Sequence, residues 1–156
     1  MLRLGLLARA VVGVVWVVAG CLKLPDPTEN VRAVRAYRLL PEAVVPTMGH
    51  LLPMIEIVVG ACLLLGLLTR LMAVISAVLL VSFIVGISWA WARGLEIECG
   101  CFGGGGPAAG ASDKYPWEIA RDAGLLLLAA LAAWRPSTPF ALDNRLYSRT
   151  VPEAVR

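Results

Sequence analysis

Leu71-Met72-Ala73-Val74-Ile75-Ser76-Ala77-Val78-Leu79-Leu80-Val81-Ser82-Phe83-Ile84-Val85-Gly86-Ile87-Ser88-Trp89-Ala90-Trp91-Ala92 runs without a charged residue. A helix needs about 20 mainly apolar residues to cross the hydrocarbon of a bilayer, so this stretch reads as a membrane span. Immediately before it, Thr69-Arg70 leaves room only for a tight antiparallel hairpin back to a second apolar run, His50–Thr69. Leu4–Leu24 and Trp117–Trp134 approach the same length. The four runs predict an all-α integral membrane protein, a four-transmembrane-helix bundle occupying residues 1–134, followed by a polar C-terminal tail at residues 135–156. Composition points the same way. With 59% hydrophobic and 16% charged residues and a mean hydropathy of +0.78, the chain has too little polar surface to clothe a soluble domain.

A net charge of +3 and the absence of a Lys/Arg cluster interleaved with aromatics argue against nucleic acid as a partner. One histidine cannot build a histidine metal site, and the four cysteines, placed as Cys21, Cys62 and the Cys99/Cys101 pair, lack the spacing of a zinc ribbon. No metal is expected.

Arg3 and Arg9 open the first run, and Arg9 is expected to snorkel its guanidinium to the headgroups. Val18-Ala19-Gly20-Cys21 has the pattern of a bacterial lipobox, but Arg9 splits the apolar region and three further runs follow, so an uncleaved first span is expected. Pro25 and Pro27 end that span. In Thr28–Leu40, the residues Val31, Val34, Tyr37 and Leu40 repeat at helical spacing, with Arg32, Arg35 and Arg38 as a basic row. This predicts a short helix lying in the membrane interface against lipid headgroups. Trp89 and Trp91 on one side of the next loop, and Tyr115 and Trp117 on the other, read as interfacial belts. Seven Lys/Arg fall on each side of the membrane, whereas nine of eleven acidic residues sit near the face of that loop. The amino-terminal arginines and the acidic bias place both termini in the cytoplasm and the loop outside.

That loop carries Cys99-Gly100-Cys101-Phe102-Gly103, with three more glycines behind it. Two thiols one residue apart, in a segment expected to be mobile, suit exchange of electrons with another protein's thiols. A disulfide between them closes a small ring at the edge of what disulfide geometry accepts, and Gly100 supplies the dihedral range such a ring needs. Strained, exposed disulfides are the reducible ones. Arg121, read as lying in the first turn of the fourth span, and that helix's dipole favour a thiolate, whereas Glu96, Glu98 and Asp122 oppose it. Which sulfur attacks is left open.

Charges inside apolar runs are the second signal, since an ionisable group in lipid must be paired or hydrated. Lys23 ends the first span and Glu56 lies about one turn into the second, so their heads can meet, either as a structural ion pair or in a proton or cofactor pocket. Cys21 and Cys62 are expected as small core residues, and Gly13, Gly20, Gly60 and Gly66 as sites of close helix approach. His50, at the mouth of the second span, reads as an interfacial residue.

Arg9, Gly13, Ala19-Gly20 and Lys23-Leu24 in the first span, with Glu56, Gly60, Leu65-Gly66 and Leu68-Thr69-Arg70 across the second and Cys99-Gly100-Cys101-Phe102-Gly103 after the third, resemble the MauE family within the DoxX-like membrane proteins. The resemblance implies a multi-pass protein of the bacterial inner membrane, linked to methylamine utilisation and to disulfide formation in exported partners, similar in plan to DsbB and vitamin K epoxide reductase. It thus implies an exported thioredoxin-fold or cysteine-containing partner and a quinone as the candidate cofactor. The chain departs from that plan in lacking a C-x-x-C at a helix end, which counts against quinone reduction. The expected function is thiol-disulfide exchange through Cys99 and Cys101. The alternative is a non-enzymatic assembly factor, or a carrier of lipid or small molecules, in which the cysteines merely brace the loop.

Overall fold

The computed structural model describes residues 2–134, so the expected tail at 135–156 lies outside the described residues. Helix α1 (Leu2–Lys23) stops before Asp26, whose carboxylate starts α2 (Pro27–Ala36) by accepting the Thr28 and Glu29 amides, each at 3.0 Å. Pro27 has no amide hydrogen to lose and a ring that presets helical φ, which is why proline suits a first turn. The Thr28 hydroxyl and these amides hold the Asp26 carboxyl below its ordinary pKa. α2 ends where Arg38 takes a φ of 52°. α3 (Val45–Leu65) then begins with Pro46 in its first turn and carries Pro53 inside.

The hairpin to α4 (Thr69–Ala92) is tight, as predicted. Gly66 adopts a left-handed φ of 70°, and the Leu67 amide donates back to the Cys62 carbonyl at 2.9 Å, a Schellman-type stop. Thr69, assigned by sequence to the second span, opens α4 instead. Beyond α4 come a two-residue strand β1 (Ile97–Glu98), its antiparallel partner β2 (Gly106–Pro107), a 3-10 turn (Ala111–Lys114) and α5 (Tyr115–Trp134).

α1 packs chiefly on α3 and α4 on α5, with α1 also touching α5. The α1–α3 seam is made of small residues: a Cβ on Gly60 would lie 2.7 Å from the Gly13 carbonyl oxygen, and one on Gly20 2.8 Å from that of Pro53. Such contacts are how helices approach closely in lipid. Val12, Trp16, Val59, Leu63, Ala73, Leu80, Ala129 and Ala132 fill the centre, where the Trp16 indole donates to the Ser76 hydroxyl. Leu4, Leu7, Val11, Val14, Val18 and Leu22 are exposed on α1. An outward apolar stripe of this kind is a face made for lipid.

α1, α3 and α4 are long and apolar enough to cross a membrane. α5, at 20 residues, is not among them, so three of the four expected spans are long and apolar enough among the described residues. Glu118, Arg121 and Asp122 in its first two turns lower its hydropathy, and Asp122 faces the interior at 2% exposure. Arg9 does not snorkel; it is buried in the bundle. Cys21 is exposed on the outside of α1 rather than in the core, and Cys62 is half-buried. On α2 the buried positions are Asn30 and Ala33, flanked by half-buried Val31, Val34 and Tyr37, while Leu40 lies beyond the helix and is exposed. Arg32 and Arg35 face outward as expected.

Candidate functional site

Tyr115 determines where the cysteine loop sits. It was expected in an interfacial belt, yet it is 1% exposed: its hydroxyl accepts the Ile97 amide at 3.0 Å and donates to the Leu95 carbonyl at 2.7 Å. This pins the loop to the amino terminus of α5. From the other side the Tyr37 hydroxyl donates to the Cys99 carbonyl at 3.0 Å. Burial pushes the Tyr37 phenol far above its ordinary pKa, so it remains a protonated donor.

The segment between β1 and β2 holds a disulfide between Cys99 and Cys101, with Cα atoms 5.4 Å apart. Its glycines serve packing rather than mobility. Gly105 has a φ of +139°, and a Cβ there would sit 2.3 Å from the Ala33 Cβ; at Gly100 the same distance is 2.9 Å. The loop backbone therefore lies directly on α2, a contact that side chains at 100 and 105 would prevent. Gly103 rests near the Leu22 carbonyl at the end of α1. Cys101 is buried at 9% exposure and Cys99 is only half-buried.

Arg121 lies in the second turn of α5, not the first. Its guanidinium stacks 4.8 Å from the Phe102 ring centroid and pairs with Asp122 at 2.8 Å. Its charge is thus balanced by Asp122 rather than aimed at a free thiolate. Cys101, Phe102, Arg121 and Asp122 together border a small space of about 20 Å³.

Lys23 and Glu56 meet as expected. Nζ lies 2.5 Å from Oε1, and both side chains are buried. The meeting is deeper than the sequence suggests, because α3 begins at Val45 and Glu56 is near its middle. The Asn30 amide donates to the Lys23 carbonyl at 2.7 Å, fastening α2 over the pair. The second Glu56 oxygen has no hydrogen-bond partner among the described residues.

Between α2, α3, α4 and the disulfide is a cavity of about 320 Å³, bordered by Lys23, Tyr37, Phe83, Cys99, Gly100 and Cys101 among others. The structure thus brings Cys99, Gly100, Cys101 and Lys23 to one space, places Phe102, Arg121 and Asp122 on the far side of the loop, and joins Glu56 through Lys23. His50 stands apart, exposed, with its Nδ1 2.6 Å from the Pro46 carbonyl oxygen. Tyr37, Asn30 and Ala33 were not singled out as site residues. Asn30, an amide directly before Val31 and one turn before Val34, was the readable signal; Ala33 offered none. Among the described residues no group of three His, Cys, Asp or Glu side chains could hold a metal ion.

Comparisons with curated proteins and with solved structures give no match. The family described as methylamine utilisation protein MauE matches residues 1–135, a span that takes in α1 to α5, the Lys23–Glu56 pair and the cysteine loop. This multi-helix membrane chain, whose disulfide is folded onto α2, belongs to the MauE family.

Proposed function

We propose that this protein exchanges disulfides with an exported thioredoxin-fold or cysteine-containing partner at the Cys99–Cys101 pair, in support of disulfide formation or maturation. The observation that carries the reading is the asymmetry of the bonded pair: Cys99 half-exposed and Cys101 buried. A partner thiolate attacks Cys99 Sγ; the bond to Cys101 breaks, and Cys101 leaves as a thiolate. A second partner thiol then attacks the partner sulfur of the mixed disulfide. The partner gains its disulfide, Cys99 is released, and the pair holds the two electrons the partner lost. Run backwards, the same steps reduce the partner. Tyr37, by holding the Cys99 carbonyl, keeps the attacked sulfur in place.

In this reading α5 is a fourth span. Its 20 residues extend about 30 Å at 1.5 Å per residue, and its Asp122 is turned inward. Both termini then lie in the cytoplasm of a bacterial inner membrane, and the disulfide faces outside.

Trapping tests the exchange. In Cys101→Ser, Cys99 can still attack a partner disulfide but lacks the sulfur that would resolve the product, so a reductant-sensitive adduct should accumulate after acid quenching and alkylation. Cys99→Ser should trap little, since the remaining sulfur is buried. If neither variant traps a partner and the double serine variant restores a deletion strain fully, the chain is instead an assembly factor or a carrier.

A further inference from the structure

α3 and α4 follow one another in the chain, yet toward the cysteine loop the 320 Å³ cavity separates them. Met48, Leu52 and Pro53 wall it on one side and Phe83 and Gly86 on the other. Its volume is at the low end for ligand pockets, roughly 300–1,000 Å³. Ser82, another lining residue, is exposed and lies near the middle of the 24-residue α4, at hydrocarbon depth. The mouth therefore opens to lipid, and an occupant must be lipid-soluble.

Its one charged lining residue is Lys23. An ammonium offers three N–H donors; Glu56 takes one, and no other hydrogen bond from Nζ is made among the described residues. The Tyr37 hydroxyl, one Asn30 N–H and the Ser82 hydroxyl donate to the carbonyls of Cys99, Lys23 and Val78. The site thus asks for an apolar body with an acceptor oxygen, and its wall is a disulfide.

We infer that the cavity receives the head group of a lipid-soluble quinone, with Lys23 donating to one carbonyl oxygen and the reduced Cys99/Cys101 pair supplying the electrons. This rests on the exchange reading, which leaves the pair as two thiols. Reoxidation breaks two S–H bonds and forms one S–S bond. The two electrons and two protons released pass to the two carbonyl oxygens, and a hydroquinone leaves. A non-redox lipid could fill the same space but accept nothing.

The full-length protein, purified in detergent, is titrated with a benzoquinone bearing one isoprene unit, and binding is read from tryptophan quenching. Separately, the reduced protein is mixed anaerobically with the same quinone and its ultraviolet absorbance is followed. The expected result is saturable quenching and one quinone consumed per dithiol pair. A Cβ at Gly86 would be 3.5 Å from the Tyr37 ring, so Gly86→Leu extends into the cavity and should weaken binding about tenfold, a difference of roughly 1.4 kcal/mol. Ser82→Phe, at the exposed mouth, should act in the same direction and serves if the first variant fails to fold. Unchanged binding in a folded variant overturns the proposal, as does equal displacement of the quinone by geraniol, which has the isoprenoid tail and no carbonyl. Failure to bind quinone while Cys101→Ser still traps a partner removes the quinone and leaves the exchange. Quinone binding without any trapped partner removes the exchange and, with it, the electron transfer.

Discussion

Lys23 and Glu56 show how a single pair can tie a membrane fold together. Each is a charge that lipid would expel unless it is neutralised, and each comes from a different helix. Removing one partner of a buried pair leaves the other uncompensated, a loss of about 3–5 kcal/mol. Glu56→Gln should therefore lower the yield and thermal stability of folded protein, and adding Lys23→Met should restore much of the loss, because the orphaned charge has gone as well. Strictly additive losses in the double-mutant cycle, measured by thermal unfolding in detergent, would show that the two are uncoupled. This pair was legible in the sequence because a charge stands out in an apolar run. Tyr115 and Ala33 were not. An aromatic at a helix end is the same letter whether it floats in an interface or clamps a loop, and the importance of Ala33 lies in what rests on it.

At the scale of elements, the α1–α3 seam depends on residues with nothing to offer but their smallness. A Cβ on Gly60 would be 2.7 Å from a backbone oxygen of α1, and backbone cannot step aside as a side chain end can. Gly60→Leu should separate the helices and leave little folded protein. Gly124 on α5 has nothing within 4 Å of an added Cβ, so Gly124→Ala should be neutral or stabilising by up to about 1 kcal/mol through helix propensity. Thermal unfolding of the two variants in the same detergent checks both; equal behaviour would mean the seam does not carry the packing. Helix α2 was located from the spacing of Val31, Val34 and Tyr37 in Thr28–Leu40, while its start at Pro27 was read only as the end of the first span. The start of α3 was missed by five residues (50 − 45) because Pro46 reads as a breaker, whereas a proline in a first turn lacks only a hydrogen bond the helix could not make.

At the scale of the whole molecule, the sidedness proposed above rests on α5 being a fourth crossing. A variant retaining only Cys99, the more accessible of the pair, should react with a membrane-impermeant maleimide in intact cells. Labelling only after lysis, with a denatured control confirming a free thiol, would reverse the orientation. The fourth span was read from apolar length from residue 117 onward; α5 falls outside the three most apolar helices because Glu118, Arg121 and Asp122 lie near its start. Hydropathy cannot tell an inward residue from a lipid-facing one, as it averages over a helix whose faces differ.

The glycine seam and the ion pair also bear on biogenesis. During synthesis α1 leaves the ribosome before α3 and carries Lys23 at its end, while the residue that neutralises it, Glu56, is still 33 positions behind. Until α3 arrives, the grooves at Gly13 and Gly20 have no helix to receive. The charge at the end of α1 is therefore answered only once α3 has been made, and α2, whose Asn30 donates to the Lys23 carbonyl, lies over the completed pair.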